Sequence, residues 1–428
     1  MKKVLLLTRN ALKSNISTGS TTHNIFSFYN IDDCASLYCR DELPDINMCS
    51  GFYYISEREL IRSFFNNKEV GMFFKYEDKE LLNIPESEER KKYDSMKKHR
   101  LYVFLWLRDL IWALTSRKWN NTRLREFLDD FSPEIIFMPI YDSLYMHRLL
   151  YKIKKHTNAK LLLYSGDDVY SYNFNRKSLA YYINQFILRR YIRKTITESS
   201  AVVCLSETET LYLKSLFGVR IYQIYKSYNV PIEIPYEPRN GSAINVIYAG
   251  NLGYGRWKTL QMVGEAMDFV NQNGTKYALK VYSATKLNAT QEKSIRKYKS
   301  ISMLGEISYE KVKEKQRESD LLLNIESFDK KDISSVRMSF STKIVDYLFL
   351  GKCILSVGPI EVNSIGYLVN SDVSLYANSV KQLISVLLAI HDNKDIMRQY
   401  AHKAYTFGSR YHNEEVVNKK MKDILDSL

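Results

Sequence analysis

The sequence predicts an α/β protein with two domains of similar size, each built on a parallel sheet. Short apolar runs typical of strands alternate with segments of helical periodicity, which is the pattern of strand–helix–strand units. The stretch 229–243, NVPIEIPYEPRNGSA, holds three prolines and an Asn-Gly-Ser and interrupts this alternation. We therefore interpret it as a linker. The length of 428 residues suits two or three ordinary domains.

The strands are predicted from short apolar runs. In the first half they lie at 3–8, 34–38, 134–140, 160–165, 201–205 and 219–225. In the second half they lie at 245–249, 278–283, 301–304, 321–325, 352–357 and 373–376. The last segment, Glu414 to Leu428, has apolar residues at helical spacing and predicts a helix that returns to the first domain. We predict one domain over 1–235, joined by 405–428, and a second over 242–404.

The composition indicates a globular chain, with 45% apolar and 26% charged residues. Five cysteines, odd in number and without Cys-x-x-Cys spacing, are expected to be reduced thiols of a cytosolic protein. The apolar run at the N-terminus stops after Leu7, so we interpret it as the first core strand and not as a signal peptide. No run reaches the roughly 18 apolar residues of a membrane-spanning helix.

The net charge of +14 is concentrated in two segments. The segment Lys97 to Glu126 contributes +6 and Tyr181 to Lys194 contributes +4. The first contains an apolar stretch, 101–114, with Trp106 and Trp112, flanked by basic residues. It predicts either an interfacial helix whose tryptophans face anionic lipid or a buried helix of the first domain. Nucleic-acid binding is not expected, because the basic and aromatic residues form no recognised module.

Two glycine-rich or polar turns carry the strongest functional signal. In NVIYAGNLGYGR (245–256) a strand breaks at Gly250, Gly253 and Gly255 and ends in Arg256. In MSFSTKIVDYLFLGKCILSVG (338–358) a polar turn, Ser341 to Lys343, opens an amphipathic helix. Such turns bring backbone N–H groups close to an anion, and two of them fit a ligand with a diphosphate. The alternatives are a surface arginine on a turn, a solvated lysine, and hydroxyls that only cap a helix.

Two further loops are candidates in the first domain. Gly19 and Ser20 follow the first strand and are expected to approach an acceptor, although a plain loop is an equal interpretation. Asp167 follows the strand 160–165 and is a candidate catalytic residue, acceptor contact or metal ligand; a turn containing Asp residues is the alternative. No histidine pair at helical spacing and no Asp-x-Asp after a strand is present, so no metal is expected.

These motifs resemble a known family. YAGNLGYGR, followed about 90 residues later by STKIVDYLFLGKCILSVG, is similar to the nucleotide-sugar half of GT-B glycosyltransferases, in particular the retaining family 4 enzymes of bacterial surface polysaccharide synthesis. The similarity of motifs extends over about 245–400. Over 1–230 the chain resembles the family only in its fold. It implies two Rossmann-like domains with a cleft between them.

The resemblance also implies roles for individual residues. Arg256 stands where the family has the lysine that binds the donor diphosphate, and Asp346 where a glutamate binds the ribose. Asp346 is the second position of the family's Glu-x7-Glu pair; the first glutamate would fall at Met338, so that half of the pair is missing. Arg256 and Lys343 are catalytic candidates, together with Asp167. The complete set of donor-binding candidates is Gly250, Asn251, Gly253, Ser283, Glu306, Ile307, Glu326, Arg337, Ser341, Thr342 and Asp346.

The sequence and the resemblance together predict a metal-independent, retaining glycosyltransferase without a cofactor. Its expected partners are a nucleotide-diphosphate sugar, a lipid-linked or oligosaccharide acceptor, and an anionic membrane surface. Its expected location is cytoplasmic, on the inner face of the plasma membrane, in capsule or O-antigen assembly. An epimerase or hydrolase of nucleotide sugars and a non-catalytic nucleotide-sugar-binding protein remain the alternatives.

Overall fold

The computed structural model describes residues 1–14, 17–66, 68–82, 102–172, 178–229 and 243–428. Its contacts divide the chain into two compact units. The first comprises 1–226 and 417–428, and the second comprises 227–416. Most of the predicted linker, 229–243, lies outside the described residues.

The first unit alternates strands with helices, as the sequence predicts. Its strands are β1 Val4–Thr8, β2 Cys34–Tyr38, β3 Gly51–Tyr54, β4 Met72–Phe74, β5 Ile135–Pro139, β6 Lys160–Ser165, β7 Ala201–Cys204 and β8 Ile221–Gln223. Its helices are α1 Ser17–Ile25, α2 Glu57–Arg62, α3 Tyr102–Leu114, α4 Ser116–Trp119, α5 Thr122–Phe131, α6 Leu144–Thr157, α7 Leu179–Thr197 and α8 Glu207–Leu216.

These strands form one eight-stranded sheet in the order β4-β3-β2-β1-β5-β6-β7-β8. Val4 of β1 pairs with Cys34 on one side and Ile135 on the other, in parallel register. Strand β4 is antiparallel to β3. Neither β3 nor β4 was predicted, because runs of four and three residues are too short to display an alternating pattern.

Helix α3 has one buried and one exposed face. Trp112 is only 2% exposed, stacks on Tyr145 at 4.5 Å between ring centroids, and donates to Glu57 Oε1 at 3.2 Å. Trp106 donates to Asn184 Oδ1 at 2.9 Å. Of the two alternatives, the interfacial helix with both tryptophans facing lipid is wrong for Trp112, because its indole fills the core, as the alternative of a buried helix predicts. The basic residues Lys97, Lys98 and Arg100 lie outside the described residues.

The second unit repeats the alternation. Its strands are β9 Ile244–Ala249, β10 Tyr277–Tyr282, β11 Ile301–Gly305, β12 Leu321–Ile325, β13 Cys353–Val357 and β14 Leu375–Ala377. Its helices are α9 Arg256–Val270, α10 Ala289–Arg296, α11 Tyr309–Arg317, α12 Lys330–Val336, α13 Lys343–Phe349, α14 Asn363–Asn370, α15 Val380–Asp392 and α16 Asp395–Tyr411. Helix α17, Glu414–Asp426, follows and belongs to the first unit from Val417 onward.

The second sheet is six-stranded and parallel, in the order β11-β10-β9-β12-β13-β14. The prediction of two α/β domains on parallel sheets is confirmed. Each unit has its own apolar core, and all five cysteines are buried without forming a disulfide. Every helix among the described residues is too short or too polar to span a lipid bilayer.

Candidate functional site

The candidate donor residues of the second unit gather at one edge of its sheet. Strand β9 lies between β10 and β12, so the chain moves outward through β10 and β11 and then returns to the other side of β9. Ligands of open parallel sheets bind outside the carboxyl ends of the strands at such a reversal. The predicted residues follow these strands directly: Gly250 after β9, Ser283 after β10, Glu306 after β11 and Glu326 after β12.

The turn after β9 is held by hydrogen bonds on both sides. Gly250 N donates to Tyr282 O at 3.0 Å, and the Tyr248 hydroxyl donates to Asn251 O at 2.7 Å. The Asn251 side-chain oxygen accepts from Gly253 N and, at 3.0 Å, from Thr285 Oγ1. Asn251 therefore shapes the turn through its side chain. Sequence reasoning missed both residues, because Tyr248 has the pattern of a strand residue at the start of the first motif and Thr285 lies outside both motifs.

Arg256 begins helix α9, and its guanidinium is paired with Glu326. Arg256 Nε lies 2.9 Å from Glu326 Oε2, and Arg256 Nη2 lies 3.0 Å from Oε1. The two side chains are 14% and 2% exposed. Glu326 also accepts from Ser364 Oγ at 3.0 Å. The sequence proposed both residues for a donor site without indicating that they form a bidentate ion pair.

The pairing leaves Arg256 with donors for a ligand. A guanidinium carries five N–H groups, and Glu326 occupies two of them. The carboxylate fixes the plane of the guanidinium and offsets its charge within a largely buried site. Arg256 can therefore keep Glu326 and present its remaining N–H groups to an oxyanion.

Lys343 brings a second cation to the same turn. Its ammonium lies 4.8 Å from the ring centroid of Tyr248, and a Cβ placed on Gly250 would be 3.2 Å from it. Burial lowers the pKa of Lys343 to about 8, the charge of Arg256 adds to this, and Glu326 opposes it. Within the part of the chain that the structure describes, no oxygen accepts a hydrogen bond from this ammonium. An anion beside Gly250 would stabilise its charge.

The polar turn before α13 contributes less than the sequence suggests. Helix α13 has only seven residues, and the Thr342 side chain makes no capping hydrogen bond. Ser341 and Thr342 are half-buried, and their carbonyls accept from Ile344 N and Val345 N at 3.1 and 3.2 Å. Asp346, one turn after Lys343, is also half-buried. Lys343 and Asp346 share a face of α13 because residues three apart are neighbours on a helix.

The other candidate donor residues lie at the margins of this edge. Ser283 N donates to Gly305 O at 2.8 Å, which joins the ends of β10 and β11; Glu306 is exposed and Ile307 half-buried in the loop that follows. Arg337 is exposed just beyond α12, whereas Met338 is buried. Met338, which stands at the position of the missing glutamate, is therefore part of the protein interior.

The candidates of the first unit are placed differently. Gly19 and Ser20 lie within helix α1 and not in a loop, so that expectation is corrected. Gly19 is buried, and a Cβ on it would lie 2.4 Å from Lys13 O, so the glycine permits close backbone packing. Asp167 is exposed, in the turn after β6.

A buried acid beside this turn escaped sequence reasoning. Glu209 of α8 accepts a hydrogen bond from Ser165 Oγ, and burial raises its pKa to about 7, aided by the charges of Asp168 and Asp167. Its sequence context, Ser206 followed by Glu209, indicates only a helix cap, which the bond from Glu209 N to Ser206 Oγ at 3.1 Å supplies. No group of three or more His, Cys, Asp or Glu side chains among the described residues is arranged to hold a metal ion.

No protein-family model matches the sequence, and no curated protein matches it. Solved structures match over the whole chain. Anabaena HepE in complex with UDP has a TM-score of 0.61 at 11% identity, covering 100% of both chains. Sucrose-phosphate synthase from Thermosynechococcus elongatus has a TM-score of 0.60 at 10% identity, covering 100% of this chain and 99% of the other. TarM has a TM-score of 0.57 at 10% identity, covering 99% and 98%.

The fold is GT-B. The resemblance inferred from the two motifs is thereby confirmed at the level of fold. At these identities the similarity extends to architecture, so the chemistry of this chain rests on its own residues.

Proposed function

We propose that this protein is a glycosyltransferase that moves a sugar from a nucleotide-diphosphate sugar to a saccharide acceptor. The proposal depends on two cations, Arg256 and Lys343, that lie beside β9, where the order of strands in the second sheet changes direction. Arg256 is oriented by Glu326, and the Lys343 ammonium has no hydrogen-bonding partner among the described residues. Both lie at the turn that begins at Gly250, where the backbone can approach a diphosphate closely.

The reaction needs positive charge at this place. As the bond from the sugar to the diphosphate breaks, negative charge accumulates on the leaving oxygen, and cations already in position stabilise it without rearranging. Arg256 and Lys343 supply that charge, so no metal ion is invoked. We propose retention of configuration, with the leaving phosphate taking the acceptor proton, and Asp346 as the partner of the ribose hydroxyls.

We further propose an acceptor and a location for the reaction. The proposed acceptor is a lipid-linked saccharide of surface polysaccharide synthesis, and the proposed location is the cytoplasmic face of the plasma membrane. The support is an exposed apolar face on α3 and α7 next to basic side chains. A soluble oligosaccharide acceptor is the alternative that an acceptor screen would reveal.

The first experiment is a thermal-shift screen with UDP, GDP, ADP and CDP sugars. UDP and UDP-glucose come first, because the structurally similar HepE was solved with each of them. A ligand at 100 times its dissociation constant stabilises the folded protein by about 2.7 kcal/mol. Once a donor is found, Arg256→Ala and Lys343→Ala should each lower turnover by roughly 10²-fold. Near-normal rates in both variants would show that this site is not the reaction centre.

One observation favours a second candidate. Met338 occupies the position of a family glutamate and is buried, so the chain can be a nucleotide-sugar-binding protein without transfer activity. Donor binding without product, across a range of lipid-linked and soluble acceptors, would favour it. Release of free sugar or an epimerised donor would instead indicate a hydrolase or an epimerase.

A further inference from the structure

Helices α3 and α7 of the first unit lie side by side and run in the same direction. The rings of Tyr102 and Tyr181 lie 6.3 Å apart near their N-termini, and Trp106 donates to Asn184 one turn further along. Each pairing joins residues about 78 positions apart, so the two helices stay in register. Their solvent-facing sides are therefore neighbours.

The exposed side of α3 along its whole length, and the exposed side of α7 in its N-terminal half, are apolar. Nine large apolar side chains are exposed there, with Val103 at 67% and Leu179 at 74%: Val103, Phe104, Leu107, Leu110 and Leu114 on α3, and Leu179, Ile183, Phe186 and Ile187 on α7. Isolated exposed apolar residues are ordinary, but nine on two adjacent helices form a patch of the kind that marks an interaction surface.

The C-terminal ends of helices α3 and α7 border a basic cavity of about 570 Å³. Its cations are Arg148, Lys152, Arg190 and Lys194, and its walls include Trp112, Trp119, Tyr145 and Tyr151. None of the described residues that line it carries a carboxylate. The Lys194 ammonium lies 4.6 Å from the Tyr151 ring centroid, and Arg148 donates to Tyr191 Oη at 3.4 Å. The aromatic walls thus keep the cations beside the opening.

Among the described residues, three carboxylates lie near this cavity, and its four cations outnumber them. One is Glu57, whose Oε1 accepts a hydrogen bond from the indole of the wall residue Trp112 at 3.2 Å. Glu198 is 3.8 Å from Lys194, and both groups are exposed, so water screens their attraction. Asp109 is buried behind the wall, where Tyr145 N donates to it at 3.1 Å. The cavity presents four cations and accordingly suits an anion such as a phosphate monoester or diester.

We propose that this face of the first unit docks on an anionic lipid bilayer, with the apolar patch at the acyl boundary and the phosphate of one lipid headgroup in the basic cavity. An apolar stripe next to cations is complementary to such a surface, which offers acyl chains and negative phosphates side by side. The inference rests on the membrane location proposed above and not on the transfer reaction.

The test is sedimentation of the full chain with vesicles of phosphatidylcholine, with and without phosphatidylglycerol. We expect binding to the anionic vesicles only, weakened by salt. Lys152→Gln and Lys194→Gln should each weaken it about fivefold, the effect of one basic residue near such a surface. Leu107→Ser with Leu110→Ser should abolish sedimentation. These exposed leucines are preferred to Trp112, whose replacement would damage the core.

Matched controls come from the same chain. Lys155→Gln changes an exposed lysine of α6 that does not line the cavity, and Phe269→Ser changes an exposed apolar side chain of the second unit. Both should sediment like the parent protein. UDP binding and thermal unfolding, measured on every variant, separate a lost surface from a lost fold or donor site.

Four outcomes would overturn the proposal. One is equal binding to both vesicle types, which would show that the cations play no part. Another is equal weakening by the cavity and control lysines, which would indicate diffuse charge. The third is saturable binding of inorganic phosphate or glycerol phosphate without vesicle binding, which would identify a site for a soluble anion. Capture of another protein by the apolar patch, with no vesicle binding, would equally contradict it.

Discussion

Arg256 and Glu326 lie 70 positions apart in the chain and meet through two hydrogen bonds of 2.9 and 3.0 Å. The pair joins the helix that follows β9 to the end of β12, the two strands between which the sheet reverses its order. The pair therefore holds the start of α9 against the end of β12 in the candidate donor site.

This ion pair predicts a large stability effect. Arg256→Ala leaves the Glu326 carboxylate buried without a charged partner, and such losses cost about 3–5 kcal/mol. The matched control is Lys258→Ala, which breaks a pair with Asp329 at 2.6 Å whose side chains are about half exposed. That pair should contribute at most about 1 kcal/mol. Urea unfolding of both variants measures the difference, and similar losses would show that burial does not set the strength of these pairs.

Lys343 predicts a pH dependence of nucleotide binding. Its pKa in the free protein is lowered to about 8 by burial, and a bound diphosphate would raise it. UDP affinity should therefore be highest below about pH 8. Above that pH it should fall by up to about tenfold per pH unit, until the pH reaches the pKa of Lys343 in the UDP complex. Calorimetry between about pH 7 and about pH 9.5 measures this, together with proton uptake on binding.

The control for that titration is Lys343→Arg. A guanidinium stays protonated throughout this range, so the variant should show a flat profile with no proton uptake. If parent and variant instead lose affinity in parallel, another group titrates and the ammonium does not contact the diphosphate.

Gly255 predicts a steric requirement at the start of α9. Its φ is +71°, and a Cβ there would lie 2.3 Å from Ser327 Oγ and from Asp332 Oδ2. Gly274 also has a positive φ, of +103°, but a Cβ placed on it would meet no atom of the described residues within 4 Å. Gly274→Ala should cost about 1 kcal/mol from backbone strain alone, and Gly255→Ala about 1–3 kcal/mol more from crowding.

Only Gly255→Ala should also weaken UDP binding, because Arg256 is the next residue. Unfolding and calorimetry on the two alanine variants test this directly. Equal stability losses, or unchanged binding in Gly255→Ala, would mean that the turn accommodates a side chain.

Nucleotide binding should survive chelation of metal ions. Arg256 and Lys343 already place two positive charges at one turn, which is the role that Mg²⁺ or Mn²⁺ has in metal-dependent transferases. UDP titrations with and without EDTA should give the same affinity. A loss in EDTA that Mn²⁺ restores would disprove metal independence and would make Asp167 and Asp168 the ligands to mutate first.

Much of the fold was predictable because it depends on local patterns. The runs 34–38, 160–165 and 321–325 coincide with β2, β6 and β12 residue for residue. The apolar and turn residues of a parallel strand are adjacent in the chain, so one window contains the signal. Strand β4 was missed because its three residues pair with β3 through the backbone, which leaves little trace in side-chain pattern.

Local patterns along the chain already specify the alternation of strands and helices, the division into two α/β halves, and the two turns that hold Gly250, Arg256 and Lys343. The packed fold was needed to establish that Arg256 binds Glu326, that the Lys343 ammonium lies over Tyr248, and that Trp112 faces the core. The difference arises from distance along the chain. Periodicity and turn chemistry act over a few residues, whereas ion pairs and burial depend on which strand ends the sheet order brings together.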